Sequence, residues 1–203
     1  MFHNKPVIGI SGGIGSGKSF VADLFGELGC FVIHSDDQIT DAYKDPVIRN
    51  MLVDWWGCDV YHTDGAVDRS LIAAKIFNNP KEKERLERLL HPWVNAARDK
   101  AMLAVADNPQ VIAFVWDTPL LFETQLDRQC DVTVFVEAPL EMRMARLKQN
   151  RGWNETELPR RENLQIPLDK KREIVDYVVV NTADADNIRR QVREILSRTL
   201  ANR

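Results

Sequence analysis

The octapeptide Gly12-Gly13-Ile14-Gly15-Ser16-Gly17-Lys18-Ser19 constrains this chain more than any other stretch. It fills every fixed position of G-x-x-x-x-G-K-[ST], the phosphate-binding P-loop. Its flanks agree. Pro6 to Ser11 reads as a short buried strand with Val7, Ile8 and Ile10. Ser19 to Leu28 reads as the first turns of an amphipathic helix with Val21, Leu24, Phe25 and Leu28 on one face. Glycines admit backbone angles closed to other residues, so successive N–H groups can turn inward on phosphate oxygens. The helix N-terminus adds partial positive charge. In such a loop Lys18 reaches the β- and γ-phosphates and the Ser19 hydroxyl ligates Mg²⁺. The alternative, a plain glycine-rich turn, is set aside because the full motif stands between a strand and a helix. The loop therefore predicts a nucleoside triphosphate site built from Gly13, Ile14, Gly15, Ser16, Gly17, Lys18, Ser19 and Phe20.

With 203 residues there is room for one α/β core and one or two insertions. No apolar run approaches the roughly 20 residues of a membrane span. The first apolar residues already belong to the P-loop strand, so no signal peptide is expected. Cys30, Cys58 and Cys130 are far apart and form no C-x-x-C pair, which argues against a zinc site or a disulfide framework and points to the cytoplasm. A formal charge of −3 gives no global attraction to nucleic acid, so any polyanion site must be a local basic cluster.

After the first helix, Gly29 reads as a C-terminal cap and Cys30 to His34 as a second strand, ending in Ser35-Asp36-Asp37. Carboxylates there lie on the edge where open α/β sheets bind ligands. Asp36 and Asp37 could equally be N-caps for Gln38 to Tyr43. From about Lys44 to Asp107 the pattern is helical. Asp45-Pro46 opens one helix, closed by Gly57; Asp68-Arg69 opens another, stopped by Asn78-Asn79-Pro80; Lys81 to Val105 forms a long stretch interrupted at His91-Pro92. So long a connection exceeds an ordinary crossover and predicts an inserted helical subdomain, one wall of an acceptor pocket. Trp55-Trp56 reads as packing within it rather than a base-stacking platform, and His3 and His62 read as surface residues.

Val111 to Trp116 is the third strand, apolar throughout as a central parallel strand should be. It ends in Asp117, either a holder of Mg²⁺ or its water or a turn or N-cap residue. Val132 to Val136 and Tyr177 to Val180 are the fourth and fifth strands, and Ala185 to Leu200 is the last helix. Between those two strands fall Arg143, Arg146, Lys148, Arg151, Arg160, Arg161, Lys170, Lys171 and Arg172. For several of them the expectation is a solvated face. The segment nevertheless leaves the same sheet edge as the P-loop, as a lid over a triphosphate would, with Gly152, Pro159 and Pro167 as breakpoints. The whole predicts an α/β, P-loop NTPase-type three-layer fold with a five-stranded parallel sheet, an inserted helical subdomain and a helical lid. As one domain over 1–203, its core spans about 1–43, 108–138 and 176–203, its helical insert about 44–107 and its lid about 139–175.

These features together resemble the dephospho-CoA kinase family across nearly the whole chain. The resemblance rests on the loop Ser11 to Ser19, Ser35-Asp36, Asp68-Arg69, Phe77, His91-Pro92, Pro119-Leu120-Leu121-Phe122-Glu123, Arg146-Leu147, Arg151, Arg161 through Gln165, Pro167-Leu168, Lys171, Asp176 and Asn181. The P-L-L-F-E segment, the H-P pair and the R-x-x-x-Q element are far more specific than the loop alone. The resemblance implies transfer of the ATP γ-phosphate to the ribose 3′-hydroxyl of dephospho-CoA, the last step of coenzyme A biosynthesis. It implies Asp36 as general base, Arg146 and Arg151 closing over the triphosphate, and Asn181 near the adenine. His91, Leu120, Phe122, Glu123 and Arg161 would lie on the acceptor side, Glu123 either orienting the acceptor or making a lid salt bridge. His91 could instead only shape a helix break. Mg²⁺ would sit at Ser19 and Asp117. The implied partners are ATP and dephospho-CoA, without nucleic acid or membrane, for a monomer or weak homo-oligomer.

Two positions depart from the family pattern. The usual Asp-Ala-Asp after the second strand is here His34-Ser35-Asp36, and the residue after Ser19 is Phe20 rather than a small hydroxyl residue. A kinase for another acceptor, such as a nucleoside monophosphate, is disfavoured by the helical insert and the P-L-L-F-E segment. A GTPase-like switch should carry D-x-x-G and N-K-x-D; Asp117-Thr118-Pro119-Leu120 and Asn181-Thr182-Ala183-Asp184 stand there instead.

Overall fold

The computed structural model describes residues 1–77, 79–154, 156–182 and 184–201. Five parallel strands form the sheet: β1 (Val7–Gly12), β2 (Cys30–His34), β3 (Ala113–Asp117), β4 (Val132–Glu137) and β5 (Tyr177–Val180). Their spatial order is β2-β3-β1-β4-β5. Side chains alternate between faces, as strand geometry requires. Ile8, Ile10, Ala113, Val115, Val134 and Val136 meet Val21, Leu24 and Phe25 of α1 (Lys18–Glu27) and Ile188, Val192, Ile195 and Leu196 of α9 (Ala185–Ala201). Val7, Ile33, Phe114 and Trp116 face the other way, against Met102 and Val105 at the end of α5 (Pro80–Val105). Helix, sheet and helix give the expected three-layer α/β fold. Burial also pushes the Cys30 thiol up to about 12, so it packs as an apolar group.

The chain divides into two compact units. Residues 1–34 together with the chain from Met102 onward hold the sheet, α1, α9 and the basic helices α6 (Leu140–Arg151), α7 (Glu157–Glu162) and α8 (Leu168–Glu173). Ser35–Ala101 forms a helical unit of α2 (Ser35–Ala42), α3 (Pro46–Trp56), α4 (Arg69–Phe77) and most of α5, around Ile48, Leu52, Val60, Ile72, Leu86 and Leu90. Helix starts follow their caps. Asp45 accepts from the amides of Val47 (2.9 Å) and Ile48 (3.3 Å), and Asp68 from that of Leu71 (2.9 Å). Trp55 and Trp56 pack in this unit, Trp55 under the Arg85 guanidinium at 3.8 Å and Trp56 donating to Glu82 at 2.7 Å. His3 and His62 are exposed. Of the expected stop after Phe77, Asn78 lies outside the described residues.

Three local expectations are corrected. Helix α5 runs through His91-Pro92 without a break. A proline inside a helix costs about 3 kcal/mol, because a hydrogen bond to the carbonyl four residues earlier is lost. Pro92 is exposed, so water can serve that carbonyl. Leu86, Leu90 and Val94 make one buried stripe past it, each worth about 1.5–3 kcal/mol. Packing outweighs the proline. Asp36 and Asp37 are not N-caps of a helix at Gln38; they sit in the first turn of α2, which starts at Ser35, where their charge suits the helix dipole. Strand β3 starts at Ala113 rather than Val111, whose amide closes a turn on the Asn108 carbonyl at 3.1 Å.

Candidate active site

Strand β1 delivers the chain into the loop at Gly12, and α1 begins at Lys18. Gly17 caps that helix with φ +89°, where a Cβ would lie 2.3 Å from Asn181 Nδ2. Only glycine fits, for its backbone angle and for the close approach. The Lys18 ammonium donates to the carbonyls of Gly12 (3.2 Å) and Gly13 (3.0 Å), which keeps it at the mouth of the loop.

Strand register assembles the rest of this edge. His34 and Asp117 are lateral partners at the carboxyl ends of β2 and β3, and Ile10 pairs with Asp117 from β1. The Ser19 hydroxyl donates to Asp117 Oδ2 at 2.6 Å. His34 Nδ1 lies 3.0 Å from the same oxygen, and its Nε2 lies 3.3 Å from Asp23 Oδ1. Asp23 is one turn along α1 from Ser19, on the same helix face. Asp117 thus stands at the strand end with one carboxylate oxygen, Oδ2, between Ser19 and His34. A hydroxyl and a carboxylate in contact are oxygen donors that suit a hard divalent cation.

The loop is braced from outside. Arg146 donates to the carbonyls of Gly15 (3.3 Å) and Ser16 (3.2 Å) and to Asn181 Oδ1 (3.0 Å). Asn181, buried, donates to the Ser16 carbonyl at 2.7 Å. Both were expected at the nucleotide; here their polar groups hold the loop backbone. Arg143, also buried, pairs with Glu162 and donates to the Ile14 carbonyl at 3.3 Å, while Glu162 accepts from the Ile14 amide at 3.3 Å. Arg143 is thus not one of the solvated residues of the basic run. One signal was present: it stands four residues before buried Leu147, on the inward face of α6. A cleft of about 250 Å³ adjoins Gly13, with Arg143, Arg172, Glu137 and Asp169 on its walls. Both arginines are ion-paired, to Glu162 and Glu137, so the P-loop remains the better anion site.

Glu123 makes a salt bridge with Lys171 of α8. Its Oε1 accepts from Lys171 Nζ at 2.7 Å and from the Ile166 amide at 2.9 Å. Lys171 is fully buried and also donates to Gln165 Oε1 at 3.2 Å. The end of P-L-L-F-E, the glutamine of R-x-x-x-Q and the following lysine thus meet in one cluster.

Residues 6–199 match the family described as dephospho-CoA kinase. The chain belongs to that family. A dephospho-CoA kinase of Leptospira interrogans is 35% identical over 197 residues, covering 96% of this chain and 93% of its own. One from Corynebacterium glutamicum is 32% identical over 196 residues, covering 96% and 97%. The solved structure of TT1252 from Thermus thermophilus superposes with a TM-score of 0.81 at 29% identity, covering 96% of this chain and 97% of that one. A dephospho-CoA kinase is an ATP-dependent phosphotransferase acting in the last step of coenzyme A biosynthesis, and the P-loop kinase fold found here is the one that chemistry uses.

In this member of the dephospho-CoA kinase family, Arg151 and Arg161 are exposed and share the Trp153 ring, at 5.4 Å and 4.5 Å from its centroid. The indole holds two like charges close together; sequence reasoning gave Trp153 no role. Phe122 is buried, and Leu120 is half-buried with its carbonyl accepting from Thr124. Phe20 is exposed in the first turn of α1. Asp36 and His91 belong to the helical unit and are exposed there. The Asp36 carbonyl accepts from Thr40 Oγ1 at 2.7 Å, and Arg69 pairs with that same hydroxyl.

Proposed function

We propose that this chain transfers the γ-phosphoryl group of Mg²⁺-bound ATP to the ribose 3′-hydroxyl of dephospho-CoA. The observation that carries the reading is the gathering of Lys18, Ser19 and Asp117 at the carboxyl edge of the sheet, beside a loop braced by Arg143, Arg146 and Asn181. Lys18 is within a side-chain swing of the phosphates that the loop amides would bind. Ser19 and Asp117 would hold Mg²⁺, which supplies charge neutralisation at the β- and γ-phosphate oxygens when bound. Among the described residues no three His, Cys, Asp or Glu side chains cluster as a metal cage. That suits Mg²⁺, which keeps waters and phosphate oxygens as ligands around one or two protein groups.

Asp36, two residues past the last residue of β2, would accept the proton of the attacking hydroxyl. Phosphoryl transfer leans on positioning and charge neutralisation more than on deprotonation, so a plain carboxylate suffices. Arg151 and Arg161 would move from Trp153 onto the phosphates of the two substrates, and His91, Leu120 and Phe122 would line the acceptor.

The test is a coupled turnover assay with dephospho-CoA, adenosine, AMP or no acceptor, with Lys18→Ala as background. Turnover that needs dephospho-CoA and vanishes in Lys18→Ala is expected. Turnover with another acceptor would remove the substrate assignment, and an active Lys18→Ala enzyme would remove the P-loop assignment. In the same assay Asp36→Asn should lower kcat far more than it weakens ATP binding; equal losses would leave Asp36 a structural role.

A further inference from the structure

We infer that His34 is a positioning residue for the divalent cation, acting through Asp117; the inference rests on the Ser19–Asp117 reading above. A carboxylate that meets a cation must present one oxygen in a fixed direction, yet an aspartate side chain rotates unless donors hold it. Among the described residues, Ser19 and His34 both meet Asp117 at one oxygen. Oδ2 accepts from Ser19 Oγ at 2.6 Å and faces His34 Nδ1 at 3.0 Å. A carboxylate oxygen only accepts, so Nδ1 is the donor. Two donors converging on Oδ2 fix the carboxylate plane and leave Oδ1 as the oxygen that neither engages. The Ser19 hydroxyl has one hydrogen and two lone pairs, so it can keep its bond to Asp117 while offering a lone pair to the cation.

The ring itself is held in place. His34 and Asp117 are register partners on neighbouring strands, which puts their side chains on the same face of the sheet. On the other side, Nε2 lies 3.3 Å from Asp23 Oδ1, a contact that holds the ring when both ring nitrogens carry a proton. Ser19, Asp117, His34 and Asp23 thus form a chain of contacts that starts and ends on α1. Asp117 is nearly buried, so losing one partner cannot be made good freely by water. Groups that orient a metal-binding carboxylate are typically worth about 10- to 100-fold in metal affinity. An aspartate in place of His34 would bring a further negative charge beside Asp117. The imidazole brings a donor to it instead.

The experiment measures nucleotide binding calorimetrically with Mg²⁺ and with EDTA, for wild type, His34→Ala and His34→Asn, with Tm recorded for each. The quantity read is the ratio of the two Kd values. His34→Ala should shrink that ratio by about 10-fold and leave Kd in EDTA nearly unchanged. His34→Asn, whose amide nitrogen is as many bonds from Cβ as Nδ1, should restore most of it. A wild-type ratio above one that His34→Ala leaves intact overturns the inference alone, as does equal weakening with and without Mg²⁺. A wild-type ratio of one overturns the metal reading and this inference with it.

Discussion

Lys171→Met should be among the most damaging single substitutions outside the P-loop, and a second substitution should repair much of the damage. The Lys171 ammonium is fully buried, and Glu123 keeps 16% of its side-chain surface exposed. Glu123 Oε1 takes both the 2.7 Å bond from Lys171 and the 2.9 Å bond from the Ile166 amide; Oε2 is buried with no hydrogen-bond partner. Methionine fills the space of the lysine stem but leaves the carboxylate facing one backbone amide in a low-dielectric site. Stranding one partner of a buried ion pair costs about 3–5 kcal/mol. For a chain of this length each kcal/mol lowers Tm by roughly 2–4 °C, so the fall should be about 10 °C. Adding Glu123→Gln removes the stranded charge, and the amide oxygen still accepts from Ile166. The double variant should therefore regain at least about 2 kcal/mol relative to Lys171→Met. Urea denaturation of wild type, both single variants and the double variant gives all four stabilities. A double variant as unstable as Lys171→Met, or less stable, would mean that Glu123 is not desolvated and that the reasoning fails.

Gly17→Ala should abolish nucleotide binding, because a methyl at φ +89° and 2.3 Å from Asn181 Nδ2 forces the loop and its brace apart; Asn181→Ala opens the space but not the angle, so the double variant should recover binding only in part, as titration with ATP would show. Asp45→Ala should lower Tm, and Asp45→Asn, which keeps the acceptor oxygen but not the charge, should recover only part of the loss. The bond from Trp93, then those from Ile48 and Val47, hold the Asp45 carboxyl below its usual range. Its stabilisation is therefore complete above the unfolded-state value and is lost as pH falls through the lower folded-state one. The Tm gap between wild type and Asp45→Ala should stay constant from pH 7 to 5 and narrow in more acid solution towards that between Asp45→Asn and Asp45→Ala; a gap of unchanged size there would refute the contribution of the charge.

Much of this protein was legible in its sequence because the signals are local. The strand–loop–helix order, the glycines of the P-loop, the caps at Asp45 and Asp68, and the short apolar runs of the strands each involve residues a few positions apart. Backbone geometry imposes their spacing, so they can be read without knowing what lies across the fold. The edge carrying Lys18, Ser19 and Asp117 follows from those elements, since parallel strands bring their carboxyl ends together.

The charged side chains were decided only by tertiary structure. An arginine or lysine on a helix looks the same in sequence whether it faces water or a buried carboxylate. Arg143 and Lys171 became structural because Glu162 and Glu123, far away in sequence, are folded against them. Arg146 and Asn181 brace the loop for the same reason. Pro92 stays helical because the buried stripe on the opposite side of α5 outweighs one lost hydrogen bond. His34 read as a departure from a family pattern; the register of β2 against β3 makes it the neighbour of Asp117. Spacing along the chain determines which elements form, and packing between distant elements determines which charges meet.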